Sequence, residues 1–314
     1  MLSYLARRVT LSITVVLVVV AAMFVMMHAV PGDAVRTALG PRASEVMVEA
    51  YRFKMGLDQP VIVQISRYFG AIMRGDLGND AISGQPVLQI ILSQLPDTLY
   101  LIAGAMLVAV LPGIYLGVTS ATHRGGVFDR ITSVLSVSVM AVPSFVIAIY
   151  LLLFFAIRLG WFPAIGAGET FAEKMHRLVL PSIALGLAWI GYLARILRAS
   201  MLEVMAENHV RTARAFGISR NRIMYDYVLR IAILPTITVL GMGVGQMISG
   251  AVFAEIVFGR PGIGKLVYDA IANRNYPIVT GTVLLTTVFF VMVNLIADLL
   301  IAALDPRVRN VISR

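Results

Sequence analysis

The sequence predicts an all-α polytopic membrane protein. Hydrophobic residues make up 59% of the 314-residue chain and charged residues only 14%, where a soluble domain carries about a quarter. Mean hydropathy is +0.85. The apolar residues gather in six runs, at about 9–29, 98–121, 131–156, 178–199, 231–254 and 279–303. Each is near the ~20 residues that cross a bilayer as a helix.

The first run follows Arg7 and Arg8. It is longer than the apolar core of a signal peptide, and no convincing small-x-small cleavage site precedes Pro31-Gly32, so it is expected to remain as a span. Residues 1–30 form the tail and first span, 31–97 an outer region, and 98–314 the membrane core, with a polar, basic loop at 201–230.

The outer region has turn signals at Pro31-Gly32-Asp33, Gly40-Pro41, Gly75-Asp76 and Ser83-Gly84. Stretches 44–55 and 61–73 have helical periodicity, and six basic residues nearly cancel seven acidic ones. Its length predicts a small folded cap rather than a connector, or else an interfacial loop without a partner. Among the spans, Pro112, Pro143 and Pro181 predict kinks, which neighbouring helices can accommodate.

Six spans put both termini on one side. Arg7, Arg8, Arg124, Arg130, seven arginines from Arg195 to Arg230, and Arg307, Arg309 and Arg314 share that side. Cytoplasmic loops concentrate such residues, so the termini and the loop are placed inside the cell. The same rule accounts for the net charge of +9 without nucleic acid as a partner.

The loop from Met201 to Pro235 has helical grammar. Ala206, Val210, Ala213 and Gly217 fall on one small, weakly apolar face. Glu207 and Arg211 stand at i,i+4 spacing, and Arg214 extends the basic side. Gly217 is a natural stop. Ser219 is placed to cap a second helix, with Ile218 and Ile223 as a hydrophobic staple. Such a unit either rests on lipid headgroups or docks a partner.

A second turn-rich stretch runs from Glu255 to Ile278. Gly259, Pro261, Gly262 and Gly264 predict a sharp turn, followed by a short helix that ends near Tyr276-Pro277. Gly259 to Lys265 also fits a phosphate-binding loop, but Leu266 stands where Ser or Thr must hold magnesium. The run before it is a span rather than a core strand.

Polar groups inside the spans are few. Ser136, Ser144, Gln246 and Ser249 either line a polar path or bond helix to helix, and Gly241, Gly243 and Gly245 favour close packing. Asp298 sits near the end of the last span, where a structural hydrogen-bonding role is expected. There is no cysteine. No catalytic constellation and no metal-ligand set appears. An ion-coupled carrier would need several intramembrane carboxylates and an inverted repeat, and neither is visible.

At Met201–Pro235 the chain resembles the cytoplasmic loop of ABC-importer permeases. The signature there is E-A-A-x-x-x-G, followed after nine residues by I-x-L-P. Gly217 and Ala213 match it, and Leu229 is retained. Arg211 and Thr212 replace the Glu and first Ala, Tyr227 the Ile, and Arg230 the Pro. The form RTARAFG with a later Leu234-Pro235 resembles the B-type subunits of the dipeptide/oligopeptide permease family. YLARR, PGDAV, LDQPVIVQ, MRGDLG, LPSIALGL, FGRPGIGKLVYDAIANRNYPIV and DLLIAALDPRVR extend the resemblance along nearly the whole chain.

The resemblance implies a multi-pass subunit of the cell (inner) membrane that has no ATPase site of its own. It implies a second homologous permease, two ATPase subunits that bind ATP and Mg, and an extracytoplasmic substrate-binding protein. Ala206, Val210, Ala213 and Phe216 would supply docking contact on a helix at about 205–217, with Arg211 and Arg214 orienting it and Gly217 ending it. The outer cap and the turn with Gly259, Pro261, Gly262, Gly264 and Tyr276 would meet the binding protein or shape the outer mouth. Di- and oligopeptides are the expected cargo. Glutathione, nickel chelates and haem-like molecules are the family's alternatives.

Overall fold

The structure is a computed structural model that describes residues 2–29, 44–54, 56, 58–80 and 83–304. The side chains of Arg7, Arg8 and Asp298, and the stretches 30–43 and 305–314, lie outside the described residues, with the turn and charge expectations placed on them.

Among the described residues the elements are helices, apart from an isolated bridge between Asn79 and Pro86. In chain order they are α1 (Leu2–Ala29), α2 (Glu45–Lys54), α3 (Val61–Ile72), α4 (Val87–Thr122) and α5 (Val127–Met140). Then come α6 (Ser144–Arg158), α7 (Phe171–Val204), α8 (Asn208–Ala215), α9 (Arg220–Val257), α10 (Ile263–Ala272) and α11 (Tyr276–Leu304). Two helices carry a π-wound stretch, Leu152–Arg158 in α6 and Ile223–Leu229 in α9.

Among the described residues, four helices are long and apolar enough to cross a membrane: Val87–Thr122, Phe171–Val204, Arg220–Val257 and Tyr276–Ile296. Helices α5 and α6 make a fifth span only as a broken pair, bent by 98°. The described residues therefore give four or five spans where six were expected. Helix α1 is 28 residues long, but its fully described apolar part, Thr10–Met23, is shorter than a span.

The continuous third span expected at 131–156 is corrected by the break at Ala141–Pro143. A residue before proline is pushed out of the α region, and Pro143 itself is extended (φ −58°, ψ 141°) and starts the next helix. The other spans outrun their apolar cores. Helix α4 starts at Val87 because Val87 and Ile91 are fully buried. Helix α7 starts after Thr170, whose side chain accepts a hydrogen bond from the Glu173 amide, as one half of a capping box does.

The chain divides into two compact units. One comprises Met1–Thr98 with Pro261–Val291. Its core joins Val20, Leu77, Val87, Ile91, Ile263, Ala270, Ile278 and Leu284, with Val61, Ile65, Tyr68, Phe69 and Ile72 of α3 packed against it. Asp80, buried, accepts from the Ser83 amide at 2.7 Å and from the Asn275 side chain, fixing a turn to the start of α11.

The other unit comprises Leu99–Arg260 with Met292–Arg314. Helix α7 is its centre and packs against α5, α6 and α9. Close approach requires small residues. A Cβ on Gly191 of α7 would stand 2.7 Å from the Ser136 carbonyl oxygen of α5, closer than packed atoms allow. Helix α4 shows why this unit belongs in lipid. Leu101, Ala105 and Ala109 are fully buried, while Leu107, Leu111 and Tyr115 on another face are more than 60% exposed. Water penalises such an apolar stripe, whereas hydrocarbon accommodates it.

Candidate functional site

Helix α8 and its flanks form the polar end of the second unit. Met205, Ala206 and Glu207 turn the chain out of α7, with their amides bonded to the carbonyls of Met201, Glu203 and Val204. Glu207 occupies the N-cap in an extended conformation (φ −70°, ψ 154°). The helix ends in a Schellman turn. Gly217 is left-handed at φ 72°, its amide donates to the Arg214 carbonyl at 3.0 Å, and the Ile218 amide donates to Ala213 at 3.2 Å. Glycine is favoured there because a side chain clashes in that conformation.

The docking helix expected at 205–217 is therefore shorter, Asn208–Ala215. Ala206 lies on the preceding turn, exposed, and does not share a helical face with Val210 and Ala213. The expected Glu207–Arg211 ion pair is not formed: Glu207 sits at the N-cap with an extended backbone and meets Arg211 only through its carbonyl, which accepts from the Arg211 amide at 3.3 Å. Glu207 instead lies 3.1 Å from His209 Nδ1.

Val210 and Ala213 point inward. They are 0% and 4% exposed, in a core with Leu197, Met201, Val204, Ile223, Met224 and Val228. Burying a valine and its neighbours there contributes on the order of 2 kcal/mol per side chain. Arg211, Arg214 and Phe216 face outward, with Phe216 80% exposed. Ser219 takes the N-cap of α9, but its side chain makes no capping hydrogen bond. Ile223 is buried and Ile218 packs on the same core, as a staple would. Arg220 Nη2 donates to the Thr122 carbonyl at 2.9 Å, tying α9 to the end of α4.

Beside this core lies an ion pair with no counterpart in the sequence reading. Arg198 donates to Asp129 through Nη2 at 2.8 Å and through Nε. Ser120 Oγ and the Gly125 amide complete the carboxylate's partners. The partners are 69 residues apart, so no local spacing announces the pair. The available signal was one acidic residue in a strongly basic stretch. It fixes α5 and the end of α4 to α7 just before α7 enters the α8 core.

The four candidate pathway residues do not form one group. Ser144 starts α6, where a Cβ on neighbouring Gly250 of α9 would lie 3.8 Å from its hydroxyl. Phe145 and Phe253 bring the same helices together, their rings 5.8 Å apart. Gln246 and Ser249 are exposed on α9. Ser136 is buried elsewhere, in the wall of a cavity shared with Ser120 and Arg195.

At the second turn, Gly259 is left-handed at φ 56° and ends α9. Gly262, extended, starts α10, and both Gly262 and Gly264 are buried. Pro261 and Tyr276 are half-buried, whereas Tyr268 and Ile271 are the exposed large residues of α10. The apparent phosphate-binding loop joins two helices. The Ile263 amide donates to Thr98 Oγ1 at 2.8 Å, and Lys265 Nζ lies 3.1 Å from Asp269.

Comparisons with known proteins agree with this architecture. Residues 113–310 match the family described as binding-protein-dependent transport system inner membrane component, and residues 1–102 match the N-terminal domain of such membrane components. The glutathione transport system permease protein GsiC of Salmonella paratyphi A is 35% identical over 98% of this chain and 99% of its own length. A probable peptide ABC transporter permease protein of Sinorhizobium fredii, y4tP, is 38% identical over the same shares. A chain of the MetNI methionine ABC transporter superposes with a TM-score of 0.58 and 15% identity, over 69% of this chain and 97% of its own. At that identity the likeness concerns fold alone.

Proposed function

This chain belongs to the binding-protein-dependent transport system inner membrane component family, and from that premise we propose how it couples and what it carries. It is a multi-pass ABC-importer permease, a subunit type that works with ATPase and substrate-binding partners. In our reading it forms half of the pathway beside a second homologous permease in the cell (inner) membrane, with both termini cytoplasmic. Two ATPase subunits hold ATP and Mg, and this chain has no cofactor or ATPase site of its own. An extracytoplasmic protein delivers the cargo, a di- or oligopeptide; glutathione is the nearest alternative.

The observation that carries the coupling reading is the two-faced packing of α8. Val210 and Ala213 are buried against α7 and the π-wound start of α9, while Arg211, Arg214 and Phe216 stand outside. Force applied to the outer face is transmitted because the inner face belongs to a packed core, and packed cores resist deformation. Ala206, Arg211, Arg214 and Phe216 thus meet the ATPase, and Val210, Ala213 and Gly217 position them. Helix α9 runs unbroken from Arg220 to Val257, which carries the displacement along a span.

The test uses the assembled transporter. Phe216→Ala combined with Arg214→Glu is expected to lower ATPase-subunit retention and ATP-dependent peptide uptake by about tenfold or more, as loss of an aromatic anchor and an Arg does. Unchanged retention and uptake would refute the docking assignment. Because the chain has no cysteine, a single Phe216→Cys reports sidedness: with the ATPase subunits stripped off, an impermeant thiol reagent should label it in inverted vesicles and not in right-side-out ones. Mass analysis of ligand on the co-purified binding protein decides between peptide and glutathione.

A further inference from the structure

We propose that the cavity between the ends of α4, α5 and α7 binds a phosphate oxyanion. The cavity has a volume of about 170 Å³, and Thr132, Ser133, Ser136, Arg195 and Arg198 supply much of its wall. All of these residues belong to one compact unit.

The hydroxyls are the first argument. Ser and Thr within helices either bond back to a carbonyl one turn earlier or leave the hydroxyl free for another partner. Ser138 bonds back to Val134 at 3.0 Å, Thr119 to Tyr115 at 2.7 Å and Thr212 to Asn208 at 3.0 Å. Among the described residues, Thr132, Ser133 and Ser136 have no such bond and no other hydrogen-bond partner. Thr132 and Ser136 are only 7% and 6% exposed, yet both line the cavity. None of the three hydroxyls is sealed into the packing without a partner, so all stay accessible at the cavity and free to donate to what enters it.

Charge is the second argument. Arg198 is neutralised by Asp129. Arg195, exposed at the rim, also lines the cavity and makes no ion pair among the described residues. One uncompensated guanidinium with three hydroxyls selects an anion, and the number of donors suits the several oxygens of a phosphate better than the two of a carboxylate. Two sources share this chemistry, a phospholipid headgroup and free phosphate. The apolar surface beside the cavity favours the headgroup. Ile131, Val134, Leu135 and Val137 of α5 are each more than half exposed, a track for acyl chains leading from the site.

Native mass spectrometry of the full chain in mixed micelles tests the site, with phosphatidylglycerol, phosphatidylcholine or inorganic phosphate as probe. The wild type should retain phosphatidylglycerol over phosphatidylcholine. Arg195→Gln should weaken retention about tenfold and Arg195→Lys much less, as expected for a charge-assisted contact. Ser133→Ala, at an exposed position, should weaken it by a smaller factor. Retention of inorganic phosphate with the same dependence on Arg195, and no preference between the lipids, identifies free phosphate as the source. If Arg195→Gln and Ser133→Ala, each with an unchanged melting temperature, bind both probes like the wild type, the site is overturned. It is equally overturned if the wild type retains neither probe.

Discussion

Two loops of this chain stop a helix with the same backbone device and differ in everything around it. After α8, the amides of Gly217 and Ile218 return to Arg214 and Ala213. After α9, those of Gly259 and Arg260 return to Ile256 and Glu255. Both glycines are left-handed. A Cβ on Gly217 would meet nothing within 4 Å, whereas one on Gly259 would stand 2.5 Å from Ile165 Cγ2. The first glycine is required for its backbone angle alone and leaves a tip, Phe216, outside the fold. The second is required for its angle and for room, because another segment lies against it. A stop signal in sequence is thus the same word in two sentences, one about an exposed handle and one about a packed joint.

The comparison breaks most sharply at Gly259. Gly259→Val should cost about 3 kcal/mol or more, adding the left-handed penalty to overpacking, and lower the thermal midpoint in detergent. A second change, Ile165→Ala, should recover only the overpacking part. If Gly259→Val costs no more than Gly217→Ala, the distinction between the two stops is wrong. Next in size is Val210→Ala, expected to cost about 2 kcal/mol by cavity formation in the α8 core. A loss well below that, by denaturant or thermal unfolding, would mean that α8 is not anchored through Val210.

Gly217→Ala should cost about 1 kcal/mol, the angle penalty alone, and the loss should be independent of any change at Ile165. The smallest effect has the opposite sign. The stop after α10 uses the same two returning amides, but the left-handed residue is Arg274, at φ 51°. Arg274→Gly should raise stability by about 0.5–1 kcal/mol through relief of that angle, measured as an upward shift of the midpoint. A fall would show that the Arg274 side chain contributes more than its backbone costs.

Much of the fold was legible because its signals are local. Apolar runs found α4, α7, α9 and α11, and periodicity found α2 and α3 to within a residue or two. The break in the third expected span was legible in kind, since Pro143 predicts a kink, but its 98° bend was not. The glycine stop at Gly217 was legible from chemistry. The inward direction of Val210 and Ala213 was not, because a weakly apolar helical face is equally suited to a partner and to the chain's own core. The Asp129–Arg198 pair and the cavity beside it join residues from three helices, and no spacing encodes such a meeting.

The sequence by itself determined that this chain lives in a membrane, which stretches are helical, where the basic loop lies and where its helix must end. Those are consequences of composition, backbone conformational preference and the cost of burying charge, which act over a few residues. Only the tertiary structure decided which face of α8 remains available, which glycine also makes room for a neighbour, and which hydroxyls are left open at one cavity. These depend on which side chains distant in the chain occupy the same space, and close packing resolves that only once the helices are assembled.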